Sequence, residues 1–249
     1  MFKVDDILFD RHIPELSPEL TTGVIGAMES EINLLRDAMQ VAETEEIAGM
    51  VFYRGMLSGH PVVLVKCGIG KVNAAVCAQT LILRYGAERI INTGVAGALD
   101  KHVNLGDIII STDAVQHDFD LGTLGLAEGK LAQSAIKADP ELREKALRAA
   151  KKVAANVRVY EGRICSGDQF IAGKAKKQSI IERFGGYCCE MEGAAVAQTC
   201  RLSDVPFVII RAISDKADDS GEISFSAFAD AVARRSAAIV CDMLENFHN

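Results

Sequence analysis

The 249-residue sequence lacks a cationic excess: 27 Lys and Arg stand against 34 Asp and Glu, a formal charge of −7. Affinity for nucleic acid comes mostly from clustered cations on phosphates, so the balance argues against a nucleic-acid partner. The one compact basic run, Lys174 with Lys176 and Lys177, reads as a solvated helix face. No apolar run approaches the ~18 residues needed to cross a membrane, and the acidic opening MFKVDDILFDRHIPEL has no long apolar core of the kind a signal peptide carries. Internal repeats and low-complexity linkers are missing too, which leaves no boundary at which to divide the chain.

Zinc-ribbon spacing is likewise absent. The seven cysteines (67, 77, 165, 188, 189, 200 and 241) are odd in number and sit mostly within apolar segments, the pattern of reduced core thiols in a cytosolic protein. Cys188-Cys189 could suggest redox chemistry, but neighbours on a strand point to opposite faces and thioredoxin-type chemistry uses C-x-x-C, so packing is favoured. What is present is 49% hydrophobic and 24% charged residues, a globular composition that excludes disorder and fits one large α/β domain or two small ones.

Short apolar runs alternate with amphipathic stretches along the chain. TTGVIGAM reads as a strand, followed by a helix over ESEINLLRDAM with Ile32, Leu35 and Met39 on one face. MVFYRGML and VVLVKC read as a hairpin around Ser58 to Pro61. GIGK opens a helix, RIINTGVAGAL reads as a buried strand ending in a glycine turn, and further strands are expected at GDIIISTDAV, VRVYEGRICS and PFVIIRAIS. Asp139-Pro140 has the form of an N-cap with proline at the first helical position. Phe225, Phe228, Val232, Val240, Met243 and Phe247 share the spacing of one helical face within 224–247, which should pack on a sheet. The alternation predicts a single three-layer α/β/α domain over 21–249 with a central mixed sheet, and residues 1–20, with two prolines, as an appendage.

In open α/β sheets ligands bind beyond the carboxyl ends of strands. Five such places stand out: Met28 to Glu31, Gly68 to Gly70, Gly94 to Gly97, Glu190 to Glu192, and Ser214-Asp215. GIGK fails as a phosphate loop. A Walker A loop requires an earlier Gly where Val65 stands and Ser or Thr where Val72 stands, and a dinucleotide fingerprint requires Gly in place of Asn73. A tight turn that lets backbone approach a neighbour is the plainer reading. Asp215 ends an apolar strand interrupted only by Arg211, so scarce solvent should hold its proton and suit it to a general acid. Glu192 and Glu31 each lie where a helix opens. Singly, each could be an acid interacting with the helix dipole; three acids at three strand ends converge on one crevice.

The segments IGAMESEI, GIGKVNAA, NTGVAGAL, GDIIIS, SGDQFI, EMEGAAVAQ, VPFVIIRAISD and SFSAF, in this order, resemble the bacterial 5′-methylthioadenosine/S-adenosylhomocysteine nucleosidases of the nucleoside phosphorylase superfamily. The resemblance runs from about Gly23 to Phe247. It implies hydrolysis of the N-glycosidic bond of 5′-methylthioadenosine and S-adenosylhomocysteine, with 5′-deoxyadenosine as a third candidate, in methionine salvage and methyl-cycle recycling. By position, Asp215 would protonate adenine at N7 with Ser214 steadying its carboxyl. Glu192 would hold the ribose hydroxyls, Met191 would pack on the sugar, and Glu31 would orient and deprotonate water with Arg211 in its network. Phe170 would stack on adenine and the Ile171 backbone would read its edge. Val95, Ala96 and Gly97 would line the pocket, and Met28, Ile69, Leu121, Leu124 and Phe225 would surround the ribose and the 5′-thio tail. Neither metal nor cofactor is implied, and the five His (12, 60, 102, 117 and 248) show no ligand spacing and read as surface or structural residues. A homodimer is implied, with Leu124 on a loop reaching toward the partner subunit's site.

Two carboxyl groups flanking a scissile glycosidic bond divide the labour as glycosidases do, each acting as charge develops on sugar or leaving group. Three positions depart from the family pattern: Val95 replaces its usual Ser, Leu124 a common Phe, and Gln116 a common Tyr. A phosphorylase of the same superfamily is the nearest alternative, but it requires a cationic phosphate site, and Glu31 would repel that anion. A non-catalytic nucleoside-binding protein could dispense with the acids that this chain retains.

Overall fold

Strand β1 (Thr22–Gly26) is buried along its whole length, and its apolar side chains alternate between two cores. A computed structural model describes residues 21–119, 135–219 and 221–247, with backbone alone for 221–224, 226 and 227. The remaining strands are β2 (Gln40–Ile47), β3 (Met50–Leu57), β4 (His60–Lys66), β5 (Arg89–Ala98), β6 (Ile108–Gln116), β7 (Ile136–Lys137), β8 (Val159–Ser166), β9 (Cys188–Glu190) and β10 (Phe207–Asp215). The helices are α1 (Glu29–Ala38), α2 (Lys71–Tyr85), α3 (Pro140–Val153), α4 (Lys174–Phe184), α5 (Gly193–Leu202) and α6 (Gly221–Glu245).

These strands form one mixed sheet. β2, β3 and β4 run antiparallel, β4 joins β1 in parallel, and β1 joins β5 in parallel. From β5 the sheet closes on itself: β5 pairs with both β9 and β10, and β10, β6, β8 and β9 complete the ring. One core gathers α2 and α5 side chains (Ala74, Cys77, Leu81, Val196 and Cys200) on one face. A second gathers α1, α3 and α6 (Ile32, Leu35, Leu142, Ala146, Val232 and Val240) on the other, which gives the expected three layers. β10 shows why its sequence is almost wholly apolar, since Phe207 and Ile209 enter the first core while Val208 and Ile210 enter the second. Burying each such side chain is worth about 1.5–3 kcal/mol.

Local signals are realised at several points. Asp139 caps α3, its Oδ1 accepting from the Leu142 amide at 2.9 Å. Lys174 and Lys176 lie exposed on α4, but Lys177, read with them as a solvated face, is half-buried and donates to the Lys216 carbonyl at 2.6 Å. Six of the seven thiols are buried and all are free, and Cys188 and Cys189 enter different cores, as adjacent strand residues must.

Two further expectations differ from the structure, and one strand went unread. Gly94 to Gly97 form no turn: they continue β5, pairing with Arg211 to Asp215 of β10. Phe228 is 44% exposed, unlike Val232, Val240, Met243 and Phe247. At about 100° per residue, Phe228 falls about 40° outside the arc that those residues span. β2 carried no legible strand signal because it is an edge strand with mostly exposed side chains, held by backbone pairing to β3. Residues 1–20 lie outside the described residues.

Candidate active site

The site lies where β1, β5, β9 and β10 end. β1 delivers the chain to Ala27 and Met28, and the first turn of α1 places Glu31 back over that strand end. Its Oε2 accepts from the amides of Ala27 at 2.6 Å and Met28 at 2.9 Å, and its Oε1 accepts from the Val95 amide on β5 at 2.9 Å. Burial raises the proton affinity of Glu31, while the Arg211 charge and these three amides oppose that rise.

Glu192 occupies the N-cap of α5 and is 6% exposed. Its Oε1 accepts from the Gly70 amide at 2.8 Å. Gly70 has φ +102°, a conformation that L side chains rarely adopt, so glycine is what lets this amide meet the carboxylate. The GIGK turn is therefore a backbone donor to a protein acid. Burial and then the neighbouring Glu190 push Glu192 up to about 8.

Asp215 ends β10. Its Oδ1 accepts from the Ala217 amide at 2.8 Å and its Oδ2 from the Ser214 hydroxyl at 2.9 Å. Burial raises its pKa, and those two donors temper the rise. The three acids border one cavity of about 380 Å³, whose wall also includes Met28, Ile69, Val95, Ala96, Gly97, Met191 and Ser214. At its mouth the half-exposed Phe170 ring meets Phe225 edge-on, centroids 5.6 Å apart at 76°. No Lys or Arg belongs to this wall among the described residues. A buried acid that holds its proton more tightly than usual, a carboxylate held by backbone amides and an aromatic platform form an arrangement that can bind a planar base and assist its departure from a sugar.

Residues 21–245 match the family described as the phosphorylase superfamily. The chain is 42% identical over 228 residues to a 5′-methylthioadenosine/S-adenosylhomocysteine nucleosidase from Bacillus thuringiensis, covering 89% of this chain and 97% of that one. The chain belongs to this nucleosidase family. Its structure superposes, with TM-score 0.86 and 41% identity over 90% of this chain and 98% of the other, on the Neisseria meningitidis nucleosidase solved with methylthio-immucillin-A. It also resembles the futalosine hydrolase of Helicobacter pylori at TM-score 0.85 and 32% identity, over 91% of this chain and 97% of that one.

Twelve of the sixteen residues assigned from the family resemblance meet at the cavity. Two others stand behind it. Ile171 is buried with Val115, Cys165 and Ala217 and is not part of the wall. Arg211 is 2% exposed, and its guanidinium binds Glu190 and the Asn92 side chain rather than Glu31. Leu121 and Leu124 lie outside the described residues. Gln116 accepts a hydrogen bond from Lys71 Nζ at 3.0 Å, and that amine also pairs with Asp118 at 2.6 Å. His117 is buried, and burial lowers its pKa.

Glu190 also reaches the wall, although no role was drawn for it from the sequence. The signal was present: an acid closing an apolar strand, in a protein with Arg211 inside another apolar strand, calls for a pair.

Proposed function

We propose that the protein hydrolyses the N-glycosidic bond of 5′-methylthioadenosine and S-adenosylhomocysteine, releasing adenine and the 5-thio-substituted ribose. The observation that carries this reading is the cavity wall, with four acids and no cation among its described residues. Glu31 abuts Gly94 and Asp215 abuts Gly97, so two glycines of β5 make room for two acids that line the same cavity. In the proposed binding mode that cavity takes a purine nucleoside with one acid at the base and the other at the sugar.

In this mechanism Asp215, its proton retained by burial, donates to adenine N7 as the purine leaves, and Ser214 steadies the carboxyl. Glu192 accepts hydrogen bonds from the ribose hydroxyls and opposes the positive charge growing on the sugar. Glu31 orients the attacking water and takes its proton, with Arg211 acting on it through the field rather than by contact. Phe170 stacks on adenine and the Ile171 backbone reads its edge, Met191 packs on the sugar, and Met28, Ile69 and Phe225, with Leu121 and Leu124, enclose the ribose and its 5′ substituent. 5′-Deoxyadenosine keeps every one of these contacts except those of the thio tail, and it is a further candidate substrate.

Turnover of the two thio-nucleosides would serve methionine salvage and methyl-cycle recycling. Seven unpaired thiols suit a reducing cytoplasm, and among the described residues no helix is long and apolar enough to cross a membrane. A homodimer is supported by exposed Val72, Val76 and Leu83 along α2, beside exposed Ile69 and Phe119. We take residues 1–20 to be an extension of one domain over 21–249.

The deciding experiment incubates the protein with 5′-methylthioadenosine, with and without phosphate. Adenine and methylthioribose are expected in both; methylthioribose 1-phosphate in the presence of phosphate would overturn the hydrolase reading in favour of a phosphorylase.

A further inference from the structure

Glu190 borders the cavity, yet its carboxylate is fully engaged by protein. Oε2 accepts from the amides of Glu192 at 3.1 Å and Gly193 at 2.8 Å, the opening of α5. The same oxygen faces Arg211, whose Nε lies 3.2 Å away and whose Nη2 also binds it. Oε1 takes the hydroxyl of Ser166, which in turn accepts from the Ala194 amide at 2.7 Å. With donors on both oxygens, Glu190 has little capacity to bind substrate. Its contacts fix the backbone of Glu192 itself.

The charges in this corner do not balance. Glu31, Glu190 and Glu192 are all buried, and Arg211 is the cation that acts on Glu192 along with them. The groups facing Glu192 are Glu190 from β9, Arg211 from β10, Glu31 from α1 and the Gly70 amide before α2. Glu190 is the nearest repelling charge in sequence and the partner that engages the guanidinium directly. Three carboxylates against one guanidinium leave two uncompensated charges in a buried site, and a proton on one acid relieves that repulsion.

We propose that Glu190 is a positioning residue for the hydrolysis, holding the Glu192 backbone through the α5 amides and, by engaging Arg211, governing when Glu192 is ionised. The inference rests on the functional reading above, and it adds a residue that touches no substrate. It separates two properties that a single acid combines: the geometry of its hydrogen bonds and its charge.

Glu190→Gln keeps the shape and removes the charge, while Glu190→Asp keeps the charge and shortens the reach. Relief of repulsion lowers the proton affinity of Glu192, so in Glu190→Gln the acid limb of kcat/KM should move at least ~1 pH unit downward. In Glu190→Asp the limb should stay with the wild type while kcat falls by ~10-fold or more, because the α5 amides are no longer held. Circular dichroism and thermal melts establish that each variant is folded. A limb that does not move in Glu190→Gln, or wild-type kcat in Glu190→Asp, overturns the proposal; if Glu190→Gln does not fold, the Glu190→Asp measurement decides alone. Adenine release by the wild type tests the functional reading separately, since it does not depend on either variant.

Discussion

Gly94 faces the Glu31 carboxyl so closely that a Cβ built upon it would lie 2.5 Å from Oε1 and 2.9 Å from Cδ. The carboxyl cannot retreat without giving up the amides of Ala27, Met28 and Val95. Gly94→Ala should therefore cost about 1–3 kcal/mol in stability through overpacking. Because Glu31 is the group displaced, adenine release should fall by ~100-fold or more with the circular dichroism spectrum unchanged. Near-normal turnover in Gly94→Ala would separate the Glu31 position from catalysis.

Replacing Asp215 with Asn removes the proposed proton donor but not its scaffold. The amide oxygen can still accept from Ala217, and Ser214 Oγ can turn its hydrogen to the Ala96 carbonyl, 3.3 Å away. Turnover should drop by at least ~100-fold while substrate analogues bind nearly normally. Glu192→Gln should lose turnover on the same scale, because its attraction to the sugar strengthens only as charge develops. Single-turnover kinetics beside analogue titrations resolve the two effects; wild-type turnover in either folded variant removes that residue from the mechanism.

Much of this was legible because the relevant signals are local. The N-cap at Asp139, the apolar run of β10 and the three acids at strand ends all declare themselves within a few residues. Gly94 to Gly97 misled for a physical reason: glycine is a turn signal, but here two of those glycines make room for Glu31 and Asp215 inside a strand, which only tertiary packing shows. β2 was hidden by exposure on both faces. For Glu190 and Arg211 each residue carried its own signal, but that the two are partners was not local, since they lie 21 positions apart on strands that both pair with β5.

Glu192 also predicts how the unliganded protein responds to pH. Its ordinary value is 4.5 and its folded value about 8, so the folded protein holds a proton that the unfolded chain has released. The sign follows: between those values the native state binds more protons, and this contribution to stability falls as pH rises. Thermal melts from pH 5 to 8.5 should show a steeper loss for the wild type than for Glu192→Gln. Parallel curves for the two proteins would mean that Glu192 does not carry the proton.

Val95 tests which side of the cavity β5 serves. Its backbone amide binds Glu31 Oε1, and its side chain, 9% exposed, forms part of the wall with no group able to hydrogen bond. Val95→Thr retains the branched shape and leaves the amide where it is, exchanging one methyl group for a hydroxyl. A neutral hydrogen bond contributes about 0.5–1.5 kcal/mol, so the change in kcat should be roughly tenfold or less in either direction if Glu31 already positions the water. Adenine affinity should be unaffected, because Phe170 lies at the other end of the proposed binding mode. Adenine titration and steady-state turnover of the same preparation make the comparison. A large loss of adenine affinity with turnover spared would place Val95 at the base rather than the sugar, and with it the water that Glu31 is proposed to activate.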